Sequence, residues 1–206
     1  MSEHCCGNPL DIQALQAELR RVLKIVFVIN CVTFVMVVAA ALYSGSSSLL
    51  SGGLDNLGDA LTYALSLAVI GASLQAKSRV ALFKAALIFG SAIAVAIRII
   101  WGITHPGVPI VEAMSGAALL NLGFNLVCLK LLTPYRHRDV NMASTWECSR
   151  NDVYEGFAVL AAAIGVWLFK AGWPDLIVAS GLLLMFLRSA WRVFHAALAA
   201  QRGRDE

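Results

Sequence analysis

Asp55 and Asp59 stand four residues apart in Leu54-Asp55-Asn56-Leu57-Gly58-Asp59, within a stretch otherwise apolar enough to cross a membrane. On a helix that spacing stacks both carboxylates on one face, about 6 Å apart at Cβ. A carboxylate in hydrocarbon is costly, so two on one face are retained only with a cation, protons or a water-filled cavity. A second cluster, Trp146-Glu147-Cys148-Ser149-Arg150-Asn151-Asp152-Val153-Tyr154-Glu155, repeats the spacing in Cys148 and Asp152. A thiolate with three carboxylates completes four-coordinate binding of a divalent transition metal. The sulfur favours Zn²⁺, Cd²⁺ or Co²⁺ over Mg²⁺ or Ca²⁺.

The elements that must position these residues are membrane helices. Of 206 residues, 59% are hydrophobic and 14% charged, with a mean hydropathy of +0.73; a soluble domain carries about 25% charged residues. Apolar runs predict six spans, near 21–43, 50–75, 80–103, 110–132, 145–169 and 176–198. Each is long enough for a hydrocarbon core of about 30 Å at about 1.5 Å per residue. Between them lie the small turn Ser44–Ser48, a basic turn Lys77-Ser78-Arg79, and the proline-broken His105-Pro106-Gly107-Val108-Pro109. Thr133–Asp139 and Gly172-Trp173-Pro174-Asp175 make the last two connections. The expected fold is an all-α membrane protein, six transmembrane helices in one bundle with no soluble domain. Its parts are a tail (1–17), the bundle (18–199) and a second tail (200–206).

Lys and Arg gather on one side of this layout: Arg20, Arg21 and Lys24; Lys77, Arg79 and Lys84; Lys130, Arg136 and Arg138; Arg188, Arg192, Arg202 and Arg204. Ser44–Ser51 and Thr104–Pro109 carry none, and Lys170 stands alone in the third turn of the other side. The positive-inside rule puts both termini in the cytoplasm. The N-terminus lacks a signal-peptide layout, so the first apolar run is an anchor. Five cysteines without a secreted spacing exclude a disulfide framework. No basic stripe interleaved with aromatics suggests nucleic acid.

Each polar residue in the spans also has a plainer reading. Asp55 and Asp59 could complement a helix dipole at an interface, though Asp59 lies deep for that. Asp152 could pair with Arg150 or Arg98, and Cys148 could be an apolar filler, with Asn151 or Glu155 in its place as ligand. Asn121 and Asn125 suit interhelical hydrogen bonds. Gly90, Ala92, Ala94, Ala96, Ala179 and Gly181 suit close helix packing. Cys31 and Cys128 read as core, His137 with Asp139 as a solvated loop or a metal-collecting mouth, and His4-Cys5-Cys6 as a tail with ligand chemistry. By the span limits, Asp59 falls beyond the midplane and Asp152 short of it, so one ion can meet both only if the helices are staggered.

Ser46-Ser47-Ser48-Leu49-Leu50-Ser51 followed by Asp55-x-x-x-Asp59, then a second four-spaced pair ending in Asp152, resembles the cation diffusion facilitators. Trp146-x-Cys148-Ser149-Arg150-Asn151-Asp152 is similar to the fifth-helix segment of a branch of that family. The resemblance implies a six-helix metal/proton antiporter, not an enzyme, with metal held by Asp55, Asp59, Asp152 and, at a position usually His or Asp, Cys148. It implies no catalytic cofactor: Zn²⁺, or Co²⁺, Cd²⁺ or Ni²⁺, is the cargo and H⁺ the counter-ion. The partners implied are divalent metal ions and the lipid bilayer, with a homodimer formed through membrane helices. A multi-pass cell-membrane protein, of a bacterial inner membrane, is the expected setting. Most family members continue into a cytoplasmic domain of α+β type, and the expectation here is a short branch without it. The alternative is a non-transporting membrane metal sensor or scaffold. An intramembrane metalloprotease fits less well, because no His-Glu-x-x-His pair occurs.

Overall fold

The structure, a computed structural model, describes residues 9–68, 74–137 and 140–202. Among the described residues there are six α-helices and no strand: α1 (Pro9–Ser44), α2 (Ser47–Ala68), α3 (Leu74–Thr104), α4 (Val111–Leu132), α5 (Val140–Phe169) and α6 (Trp173–Arg202). A 3-10 turn, Thr133–Tyr135, follows α4, where Pro134 can start a turn but not continue the α-helical bonding. The chain runs up and down, so α1, α3 and α5 rise from a near end to a far end and α2, α4 and α6 return. The turns at Gly45, Pro109 and Gly172 mark the far end. Gly45 closes α1 with φ +77°, a conformation that favours glycine, and its N–H donates to the Ala41 carbonyl at 2.9 Å.

Two helix starts differ most from the sequence expectation. Lys77-Ser78-Arg79 is not a turn but part of α3, whose helix begins at Leu74; nothing in those residues breaks a helix. Likewise α1 begins at Pro9, well before the apolar run, because its first turns (Leu10, Ala14, Leu15, Ala17) are good helix formers following a proline at the first position. His4-Cys5-Cys6 and Asp139 lie outside the described residues.

Ala17–Ser44, Val111–Tyr135 and Thr145–Phe169 are long and apolar enough to cross a membrane, and Phe89–Thr104 is a shorter apolar stretch. The outward surface is that of a protein dissolved in lipid: Val35, Leu42, Ile97, Ile103, Ile164, Leu168 and Leu184 are all exposed. Trp101, Trp167 and Trp173 lie exposed near the far end and Trp191 towards the near end, the placement of an aromatic belt. The polar positions turn inward.

Three apolar clusters hold the bundle. Val37, Ala41, Leu49, Met114, Ala118, Val159, Ala163 and Leu182 join five helices in the far half. Leu23, Val26, Tyr63, Cys128, Leu132 and Tyr135 join α1, α2 and α4 in the near half. Ala92, Val95, Ile99, Ala179 and Phe186 bind α3 to α6. Closest packing is within the pairs α1–α2, α3–α6 and α4–α5, and α2 also meets α3, α5 and α6. Ala92 and Ala179 are buried in close packing as expected, but Gly90 and Gly181 face open space. The glycines that bring helices together are others: a Cβ on Gly102 would stand 2.8 Å from Leu176 of α6, and one on Gly53 2.9 Å from Val38 of α1.

The turn into α2 has an unusual cap. Asp175, in the first turn of α6 and 1% exposed, accepts four hydrogen bonds from it: Ser47 N–H at 2.6 Å, Ser48 N–H at 3.1 Å, Ser46 Oγ at 2.7 Å and Ser48 Oγ at 2.6 Å. The first amides of α2 would otherwise lack partners, and a carboxylate also complements the helix dipole there. Beside it the Arg98 guanidinium of α3 donates to the Gly45 carbonyl. Two side chains thus tie α3 and α6 to the far end of α2.

Candidate metal centre

The capped turn sets the height of α2 and with it the height of the acids. From Ser47 to Asp59 the helix descends about 18 Å at 1.5 Å per residue. On α5, a Cβ on Gly165 would stand 2.9 Å from Pro174, next to Asp175, so Gly165 is level with the same turn. Asp152 lies about 20 Å below Gly165 on that scale. Helix α5 overshoots the start of α2, and this stagger brings Asp59 and Asp152 to one depth.

Asp55, Asp59, Cys148 and Asp152 all line one cavity of about 170 Å³. Its polar wall is α2 and α5, which also contribute Asn151 and Glu155; its apolar wall is Leu87 of α3 with Leu182, Met185 and Phe186 of α6. Ser91 of α3 is the polar exception on that wall. Across the α2–α5 contact the carboxyls meet in pairs. Asp152 faces Asp59, and Glu155 faces Asp55. Tyr63, fully buried, donates its hydroxyl to Asp59 Oδ2 at 3.2 Å. Among the described residues no three His, Cys, Asp or Glu side chains converge as a ready metal cage. Drawing them onto one ion requires side-chain turns across the cavity.

The plainer readings of the acids do not describe this arrangement. The N-terminus of α2 has no acid of its own in its first turn; Asp55 and Asp59 sit in later turns, and Asp175 caps the helix from α6. Arg98 is engaged at the far end, and the Arg150 guanidinium lies over the Trp146 ring at 5.2 Å, with Arg136 at 5.5 Å. Asn121 accepts from Asn56 Nδ2 at 2.9 Å, an α2–α4 bond next to Asp55. Cys128 is buried core, 3.9 Å from Asn30 Nδ2. His137 accepts from Arg136 Nε at 2.8 Å on the surface. The cavity draws no lining residue from the 133–137 connection, the expected mouth; it lies between α2, α3, α5 and α6.

Three residues of consequence escaped the sequence reading. Tyr63 had a visible signal, since it continues the four-residue spacing of Asp55 and Asp59. Glu155 stood only as a substitute for Cys148. Asp175 reads in the sequence as part of a turn, although its place beside a proline in the first turn of a helix, with a row of serines elsewhere, is the chemistry of a cap.

A multi-pass helical bundle with carboxylates from two helices around one interior cavity is a membrane protein built to handle cations. The chain belongs to the cation efflux family: the model of the cation efflux transmembrane domain matches residues 23–200. It is therefore a metal cation efflux transporter, of a family whose members are transporters. Among curated proteins none matches the chain.

Proposed function

We propose that this chain is a proton-coupled antiporter that carries divalent transition metal out of the cytoplasm, Zn²⁺ first and Co²⁺, Cd²⁺ or Ni²⁺ with it. The observation that carries the reading is that two four-spaced pairs, Asp55 with Asp59 and Cys148 with Asp152, line one interior cavity. Three carboxylates and a thiolate suit a borderline-soft ion.

Proton coupling follows from the same side chains. Carboxylates crowded into one interior cavity need cations or protons among them, and a metal ion that takes their oxygens displaces the protons; a thiol likewise loses its proton to ligate. Metal and protons therefore compete for one set of ligands. Exposing that set alternately to the two membrane faces exchanges one for the other. The α3–α6 pair packs on the other helices mainly through α2, with α6 also meeting α5, which suits it to rock against them over the cavity. The basic residues put the near end in the cytoplasm, in a cell membrane, of bacterial inner-membrane type. A second copy would pack through the lipid-facing helices.

The test is metal uptake into proteoliposomes with an internal pH dye, comparing Zn²⁺, Co²⁺, Cd²⁺ and Mn²⁺ on wild type and Asp59→Ala. Metal flux with matching proton counter-flux, both lost in Asp59→Ala, is the expected result. Binding without flux would sink the proposal and leave a metal sensor. Flux surviving Asp59→Ala would put the site elsewhere.

A further inference from the structure

Glu155 gives the cavity a second level. Helix α2 descends while α5 rises, so the step from Asp59 to Asp55 and the step from Asp152 to Glu155 lead the same way, towards the far end. The rise is about 6 Å on α2 and about 4.5 Å on α5. The carboxyls meet level by level: Asp59 with Asp152, then Asp55 with Glu155. Cys148 stands one turn nearer the other end, so the near level has sulfur within reach and the far level has oxygen donors alone.

Glu155 is 9% exposed and lines the cavity. Its Oε1 has no hydrogen-bond partner and lies 3.4 Å from where a Cβ on Gly52 would stand, on the far-end side of Asp55. A buried carboxyl oxygen without a donor is expensive, and a cation is one ligand that satisfies it.

Resting on the transport reading, we propose that Asp55, a ligand common to both, and Glu155 form a second, oxygen-only position for the divalent metal, one helical turn beyond the Asp59–Asp152 level and alternative to it. The ion occupies one position or the other, and the second lies nearer the far end of the bundle.

Equilibrium Zn²⁺ binding to the purified full chain decides this without any need for flux. The variants are Glu155→Gln, Asp152→Asn and the two combined. With alternative positions, each single change leaves the other position to bind, so affinity falls by about tenfold at most, while the double variant falls by about a hundredfold or more. Glu155→Asp in the Asp152→Asn background keeps a carboxylate and recovers binding relative to the double variant, which separates lost ligation from lost folding. A double variant no weaker than Asp152→Asn would overturn the proposal, as would Glu155→Gln alone costing as much as the double, since that describes one shared site. Failure of transport in the flux assay, with this binding pattern intact, would instead remove the antiporter reading alone.

Discussion

Removing the carboxylate of Asp175 should unfasten α6 from the start of α2, and the structure sets the size of the effect. Asp175 accepts from two backbone amides and two hydroxyls. In Asp175→Ala the hydroxyls have somewhere to turn: Ser46 Oγ and Ser48 Oγ lie 3.5 Å apart, and Ser46 Oγ already accepts from Leu49 N–H at 3.0 Å. The amides of Ser47 and Ser48 have no such freedom, and a buried orphan donor costs about 1–3 kcal/mol. A neighbouring cavity of about 150 Å³, lined by Ser44, Ser47, Arg98 and Asp175 itself, lets water reach them and favours the lower half of that range. The expected loss is about 2–4 kcal/mol, comparable to the loss of a strong helix cap together with its dipole contribution. Asp175→Asn should fall between, because the amide keeps one acceptor but turns an NH₂ towards an N–H. Unfolding in mixed micelles titrated with a denaturing detergent, followed by tryptophan fluorescence, measures the difference. A loss below about 0.5 kcal/mol for Asp175→Ala, the scatter of an ordinary surface change, would refute the reasoning.

Tyr63→Phe removes the hydroxyl held at 3.2 Å from Asp59 and should change Zn²⁺ affinity by about 2- to 12-fold, the worth of about 0.5–1.5 kcal/mol; an unchanged Kd in a Zn²⁺ titration would show the contact idle. Cys148→Ser trades sulfur for oxygen, so the flux ratio of Cd²⁺ to Mn²⁺ should drop by about tenfold, and an unaltered ratio would mean that Cys148 is not a ligand. Because the ligands bind metal only after losing protons, Zn²⁺ affinity should weaken as pH falls, by about one decade per pH unit for each proton displaced. A Kd flat between about pH 5.5 and 8 would remove the proton competition on which antiport depends.

The membrane class and the helices were legible because hydrocarbon imposes long apolar runs and leaves little choice about what a charge does inside them. Asp55 and Asp59, and Cys148 and Asp152, could be read as pairs because a four-residue spacing fixes a shared face within one helix. Contacts between helices carry no such signature. Glu155 meeting Asp55, and Asp175 reaching Ser46–Ser48, depend on how deep each helix sits, which apolar runs define only loosely. The apparent mismatch in depth between Asp59 and Asp152 came from centring every span on the membrane. Helix α2 in fact starts below the end of α5, at a turn roofed by α6. Lys77–Arg79 was misplaced for a related reason: basic residues mark a membrane flank, and a flank can be helical.

The cap on α2 has a consequence for how the protein is made. Ser47, Ser48, Ser51, Asp55, Asn56 and Asp59 leave α2 too polar to partition into lipid by itself, whereas α1, two residues upstream of it, contains a segment with a mean hydropathy of 2.7. During synthesis α2 can enter the bilayer only as the return arm of a hairpin whose first arm is already committed. Its first amides then wait for a carboxylate encoded more than a hundred residues later. Until α6 has been translated and inserted, the cation-handling helix has an open end, so the hairpin that closes with α6 is the one that completes the second helix.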